Sequence, residues 1–300
     1  MTRSEDDPGV LEAVPGGEPV YLVTYSELPD LADDDRLLLD ELQRLGLNAV
    51  PAVWDDPAVD WAAARVAVLR STWDYHLHHE RFLEWVERAG TLTRLLNPPE
   101  TVRWNSHKGY LLDLDARGVP VVPTVLLKAG GSGSLEEIMS GNGWEQAVVK
   151  PAVSASSYET WRVRPGKAAA SQARLERLLA RRDVLVQPYF ASVQNPGERS
   201  LMFVEGQHTH TVTRPATFGA RTGETATPRP VEAAPDEAAL AYKVLHAAGR
   251  VTLYARVDIA RDDEGAPRLM ELELIEPSLF LGHAQLAARM LAAAITRRAR

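Results

Sequence analysis

The residues with the clearest chemical potential lie late in the sequence. Arg256-Val-Asp258 is followed, after a turn at Asp262 to Gly265, by Glu271-Leu-Glu273-Leu-Ile-Glu276-Pro277. If these runs are two strands of a hairpin, alternation puts Glu271 and Glu273 on one face and turns Leu272 and Leu274 into the core. With Asp258 opposite them, three carboxylates and one arginine converge. Such crowding of like charge is unfavourable unless cations neutralise it. Hard oxygen donors suit magnesium, which is usually held by few carboxylates together with substrate phosphates. A solvated hairpin face with Arg256 as counter-ion accounts for the same residues, and both readings stand on this stretch alone.

Other clusters invite an anion. In Lys150-Pro-Ala-Val-Ser-Ala-Ser-Ser157 an apolar strand delivers a lysine into a run of small residues. Small side chains let backbone N–H groups approach an anion, and the lysine adds a point charge. The run lacks the GxxxxGK[ST] spacing and opens no helix, so an ordinary Ser-rich turn competes. Trp104-Asn105-Ser106-His107-Lys108 sets another lysine at an expected helix start, capped by Asn105 or Ser106. The helix dipole disfavours a cation there, so the position asks for an anionic partner, although an exposed first-turn lysine costs only about 0.3 kcal/mol. Val184-Leu-Val-Gln187-Pro-Tyr189 and then Gly197-Glu198 place an amide and a carboxylate around a strand end. Backbone groups there can meet a purine and the carboxylate ribose hydroxyls; a buried strand stopped by proline explains them equally. Arg70-Ser-Thr-Trp-Asp74-Tyr75 follows an expected strand, at the end where ligands collect in parallel sheets, with an Asx turn over packed aromatics as the plain alternative.

These groups need a scaffold, and the patterning supplies an α/β one. Val20 to Tyr25, Asn48 to Val53 and Arg65 to Arg70 are short strand-like runs, separated by a helix over Asp30 to Leu45 that Gly46 closes and followed by a helix over His78 to Ala89. Strands alternating with helices predict a parallel, helix-covered sheet, ending near Pro98-Pro99. Beyond lies α+β texture: a helix from about Ser106 to Ala116, strands at Val119 to Leu127, Ala147 to Lys150, Glu159 to Arg164 and Val184 to Tyr189, and a helix at Lys167 to Ala180. Strands at Ser200 to Val204 and Thr209 to Arg214, a long loop from Pro215 to Pro230, a helix at Asp236 to Ala248, two strands (Leu253 to Ala260 and Arg268 to Ile275) and a final helix complete the reading. The loop is longer than a simple connection needs, which marks it as a candidate lid. The expected division is a disordered tail over 1–18, an N-terminal domain over 19–100, a central domain over 101–190 and a last domain over 191–300.

Composition narrows the function. Lys+Arg 33 against Asp+Glu 41 gives a net charge of −8, which offers no general attraction for nucleic acid or an anionic membrane. Lysine occurs only at 108, 128, 150, 167 and 243, so each position raises a question. Without cysteine there is no thiolate nucleophile and no disulfide. The acidic, Pro/Gly-rich start has no apolar leader, and no run of eighteen apolar residues occurs, which makes a cytoplasmic enzyme the expectation. The oligomeric state is left open.

The order Lys108, Lys150, small-residue loop, Gln187, Glu198, Arg214, Arg256, Asp258, Glu271, Glu273 resembles the ATP-grasp superfamily over roughly residues 20 to 290. The resemblance implies the ATP-grasp fold with an N-terminal parallel-sheet domain, ATP with two magnesium ions, and a ligase that turns a carboxylate into an acyl phosphate for attack by nitrogen. By that resemblance Lys108, Lys150, Ser156 and Ser157 meet the phosphates, Gln187 and Tyr189 the adenine, and Glu198 the ribose. Asp258, Glu271 and Glu273 hold the metal, and Arg214 and Arg256 serve catalysis. Glu273 departs from the asparagine of better-known members and Arg214 from their lysine. The Arg70–Tyr75 motif and Ile275-Glu-Pro-Ser-Leu-Phe are similar to the glutathione-synthetase-like subgroup that includes the O-ureido-D-serine cyclo-ligases. Asp74, Arg221 and Ser278 are then the candidates for a small amino-acid-like substrate, with Arg221 in the lid. A ligase joining two separate substrates, and a nucleotide-binding module without catalysis, are the alternatives.

Overall fold

The computed structural model describes residues 17–215, 227–250 and 252–300, and the following concerns those residues. The tail expected over 1–18 falls almost wholly outside them, as does most of the long loop after Pro215. Strands β1 (Val20–Thr24), β2 (Ala49–Val53), β3 (Val66–Ser71) and β4 (Arg94–Leu96) form a parallel sheet in the order β2-β1-β3-β4, with helices α1 (Asp33–Arg44) and α2 (His79–Leu92) as crossovers. Helix α1 starts with three aspartates that suit the positive end of its dipole, and Gly46 at φ +79° lets the chain turn away after it. Its Leu38 and Leu42 are fully buried, each contributing about 1.5–3 kcal/mol by leaving water.

Two short helices follow, α3 (Pro99–Asn105) and α4 (Tyr110–Ala116). This corrects the single helix expected from Ser106. Pro99 takes the first helical position, where its missing N–H costs nothing, and the chain breaks at residues 106–109 as the Lys108 N–H donates to Ala152 O at 2.7 Å. Asn105 and Ser106 therefore end a helix rather than cap one. Next come β5 (Val125–Leu127), α5 (Leu135–Gly141), β6 (Ala147–Pro151), β7 (Trp161–Val163), α6 (Ala168–Leu179) and β8 (Val184–Pro188). Their antiparallel sheet has the order β5-β8-β6-β7. The strand expected over 119–127 shrinks to its last residues because Pro120 and Pro123 interrupt a ladder; Val121 makes only an isolated bridge to Leu269. Helix α5 was not anticipated, although Ser134 accepts from the Glu137 N–H as its cap.

A third sheet, β11-β10-β9-β12-β13, contains β9 (Glu198–Val204), β10 (Gln207–Arg214), β11 (Arg229–Val231), β12 (Tyr254–Arg261) and β13 (Pro267–Glu273), with α7 (Pro235–Ala248) before β12 and α8 (Gln285–Arg298) after β13. One face of this sheet carries Leu201, Phe203, Val257, Leu272 and Leu274 into a core with α4 and α7. Helix α8 packs against α1 and shares a second core with the parallel sheet. No helix among the described residues is long and apolar enough to cross a membrane.

Candidate active site

The polar face of the third sheet is a grid set by register. Asp258 sits between Ser200 on β9 and Glu271 on β13, and in the next row Arg256 sits between Met202 and Glu273. Glu198 and Arg214 are paired one row further along β9 and β10. Alternation thus brings Glu271, Glu273 and Asp258 onto one face, as the hairpin predicts, and each offers an oxygen within 4.8 Å of the others.

Cationic side chains are threaded through these carboxylates. Arg256 Nε and Nη2 each donate to an Asp258 oxygen at 2.9 Å, and Nη2 also donates to Glu273. Ser200 Oγ donates to Asp258 at 2.6 Å. Arg214 stands 3.5 Å from Glu198 and 3.7 Å from Asp258, and among the described residues its Nε has no hydrogen-bond partner. Lys108, delivered by the break between α3 and α4, lies 2.8 Å from Glu271 and donates to Ser154 O at 2.6 Å. Lys150, at the end of β6, is buried within the fields of Glu271, Lys108, Glu198 and Asp258.

The electrostatics are divided. Burial works against the Glu271 carboxylate, but Lys108 and Lys150 hold its pKa well below the usual range. Burial pushes Glu273 up, Asp258 and Glu271 add to the rise, and Arg256 only partly offsets it. Glu276 is pushed up to about 8 by burial and by Glu273. Burial lowers both lysines; Glu271, with Glu273 and Glu276, more than restores Lys108, while Lys150 stays lowered with Lys108 adding to the effect. A carboxylate cluster in which burial and like charge push Glu273 up forms a donor set that fits a hard divalent cation, since two positive charges at the centre relieve the repulsion.

The sequence model of the D-cycloserine synthetase DcsG N-terminal domain matches residues 20–97. The cycloserine biosynthesis protein DcsG of Streptomyces lavendulae is 33% identical over 275 residues, covering 87% of this chain and 92% of that protein. The chain belongs to the DcsG family. The crystal structure of D-cycloserine synthetase DcsG agrees with a TM-score of 0.87 at 31% identity, over 94% of this chain and 100% of that one. D-alanine–D-alanine ligase from Bacillus anthracis shares the fold, with a TM-score of 0.66 at 15% identity over 95% of this chain and 97% of that one. The fold is ATP-grasp, and this DcsG-family chain is an ATP-dependent ligase.

Within this member of the DcsG family the other candidates are placed less centrally. Gln187 pairs with Val148 and so shares a face of the central sheet with Lys150, its amide donating to Thr124 Oγ1 at 2.9 Å. The Tyr189 ring lies under the Arg162 guanidinium at 3.5 Å, and its N–H donates to Gln146 O. Ser156 and Ser157 are exposed at φ +49° and +57°, a left-handed stretch in a loop that Glu159 ties to Arg181 and Arg182 of the segment after α6. Asp74 accepts from Trp54 Nε1 at 2.9 Å, and burial raises its pKa. Ser278 offers its carbonyl to Arg256 at 3.3 Å. Arg221 and the expected lid lie outside the described residues.

The Arg70–Tyr75 motif contributes more than Asp74, the one residue of it that the sequence offers for a role at the site. Tyr75 is buried close enough to Glu276 and Glu273 for their charges to help burial raise its pKa, and Trp73 Nε1 donates to Glu276 O at 3.2 Å. Arg70, fully buried, donates to Asp35 at 2.8 Å and to Pro277 O at 2.7 Å, holding the segment after β13 against the parallel sheet. A signal existed for Arg70, because an arginine ending an apolar strand needs a carboxylate when buried. Asn97, Asn105 and Tyr110 bond the backbone around β13, and no local pattern announced them.

Proposed function

We propose that this chain closes O-ureido-D-serine into D-cycloserine at the expense of ATP, in the cytoplasm, within a frame of domains at 19–100, 101–190 and 191–300. The observation that carries the ligase site is the convergence of Lys108 and the buried Lys150, from separate parts of the chain, on Asp258, Glu271 and Glu273. The cyclisation itself rests on the similarity to D-cycloserine synthetase.

Asp258, Glu271 and Glu273 would hold magnesium, two ions in this reading, which when bound neutralises charge on the transferring phosphoryl group. Lys108 and Lys150 bind the phosphates, with the backbone at Ser156 and Ser157 closing over them. Gln187 and Tyr189 form the adenine wall, and Glu198 takes the ribose hydroxyls. The substrate carboxylate attacks the γ-phosphorus, the bond to ADP breaks, and an acyl phosphate forms. The ureido nitrogen bonded to oxygen in the same molecule then attacks the carbonyl carbon, phosphate leaves and the ring closes; water cleaves the carbamoyl group from that nitrogen, and it departs as carbamate, which falls to CO2 and ammonia. No protein nucleophile is needed, so this chain contributes electrostatic preorganisation and a folded, water-excluded geometry. Arg214, whose Nε has no partner among the described residues, faces the transferring group in this reading, while Arg256 fixes the carboxylates. Asp74, Arg221 and Ser278 orient the amino-acid-like substrate.

The test is mass spectrometry after incubation with ATP, magnesium and O-ureido-D-serine as the only amino-acid substrate. The expected outcome is D-cycloserine with ADP, phosphate, CO2 and ammonia. Turnover that requires an added amine, with no cyclic product, would make the chain a two-substrate ligase instead.

A further inference from the structure

Among the described residues β13 is the outer strand of its sheet, so the peptide groups on its free side need partners from elsewhere. Beside Leu269 the main chain at 120–122 supplies them: Leu269 N–H donates to Pro120 O, and Val122 N–H donates to Leu269 O. Further along, where the strand carries its carboxylates, side chains take over. Leu272 N–H donates to Tyr110 Oη at 2.9 Å. Asn105 Nδ2 donates to Leu272 O at 2.8 Å, and Leu274 N–H donates to Asn105 Oδ1 at 2.8 Å. Asn97 Nδ2 donates to Leu274 O at 2.8 Å and also to Tyr254 O.

The two Asn105 bonds grip the two peptide planes that flank Glu273. A carboxamide can do this because it presents a donor and an acceptor side by side, as a neighbouring strand would. Asn105 also sits three residues before Lys108, whose ammonium holds Glu271. One short stretch thus fixes the backbone under one carboxylate and the charge of the other.

The geometry points to Asn105 as a positioning residue for the carboxylate set, holding Glu273 at the spacing a divalent cation requires. This rests on the proposed metal role of Glu273. Both ends of the Asn105 amide are taken by peptide groups beside Glu273, so it acts through the backbone of β13. Such supporting partners are commonly worth about 10- to 100-fold in metal affinity.

The experiment uses the full chain with Mn2+ as the probe, titrated by electron paramagnetic resonance in the presence of a non-hydrolysable ATP analogue, with the folded fraction followed by circular dichroism. Asn105→Ala is expected to raise the half-saturating Mn2+ concentration about tenfold or more. Asn105→Asp, which keeps the acceptor for Leu274 N–H, should raise it less. Asn97→Ala, on the same edge but bonded to neither peptide flanking Glu273, should lose stability without a comparable shift. Unchanged Mn2+ binding in the folded Asn105 variants overturns the inference, as does an equal shift in Asn97→Ala, which would indicate general fraying. If Asn105→Ala does not fold, Asn105→Asp decides by the same criterion. Glu273→Gln separates the two readings: if it weakens Mn2+ binding while the Asn105 variants do not, only the positioning role fails. If it too binds normally, the metal reading has failed.

Discussion

Two buried arginines grip the same segment, at neighbouring carbonyls, and their surroundings differ in one respect. Arg70 bonds Pro277 O and Arg256 bonds Ser278 O, so both anchor the chain just after β13. Around Arg70 the polar contacts are balanced. Asp35 takes Nε, carbonyls take the remaining nitrogens, Ser71 donates to the other Asp35 oxygen at 2.7 Å, and the Tyr254 ring lies under the guanidinium at 4.8 Å. Arg256 instead serves Asp258 and Glu273 together, with Glu271 adding to the field that raises its pKa. A buried pair whose charges cancel is complete in itself and fastens the fold. A buried set with surplus carboxylate is kept at a cost in stability, and that cost falls when cations arrive.

The sharpest way to break this contrast is to remove carboxylates from the crowded set. Asp258→Ala and Glu271→Ala should each lower ATP turnover by roughly 10²–10³-fold or more, measured as phosphate release at saturating ATP. Relief of repulsion should offset only part of the stability that each change loses by leaving buried Arg256 or Lys108 without its carboxylate, so turnover is compared at matched folded fraction. Parent-like turnover in both variants would sink the metal assignment and leave the site no different in kind from the Arg70 cluster.

The balanced cluster should respond in the opposite way. Asp35→Ala leaves a buried guanidinium unpaired and is expected to cost about 3–5 kcal/mol in urea unfolding. Replacing both partners with apolar residues, Asp35→Leu with Arg70→Met, should recover most of that loss. A single-variant cost below about 1 kcal/mol, the size of an exposed pair, would mean that this cluster fastens nothing.

The same contrast explains what the sequence discloses. Glu271 and Glu273 stand two apart and Asp258 precedes them by one turn of a hairpin, so strand alternation alone places them together. The parallel sheet and the α+β remainder followed from periodicities of equally short range. Asn105 lies 167 and 169 residues from its partners on β13, and locally it reads as a helix cap because asparagine is good at capping. The demand of an open strand edge outweighed that preference. Pro98-Pro99 was legible as a break, but Pro99 opens α3, since the same ring that ends one helix suits the first position of another. Arg70 and Asp35 are 35 residues apart with no shared period. Chemistry carried by neighbours in sequence was visible; support carried by distant backbone groups was not.

The smallest expected effect concerns Glu276, which stands where the two clusters meet. Burial and Glu273 raise its pKa to about 8, against an ordinary value of 4.5. Between those values the folded protein holds a proton that the unfolded chain has released, so the unfolded state binds fewer protons and stability falls as pH rises. In chelator, urea unfolding should therefore show stability declining from about pH 5 to pH 8, by on the order of 1 kcal/mol or more from this group. Glu276→Gln cannot ionise and should flatten that part of the slope, becoming relatively more stable toward pH 8. Asp35→Asn, in the balanced cluster, should lower stability while leaving the slope in this window intact. A Glu276→Gln slope equal to the parent's would show that the surplus of negative charge ends at Glu273, and that Glu276 belongs with the charges that hold the fold.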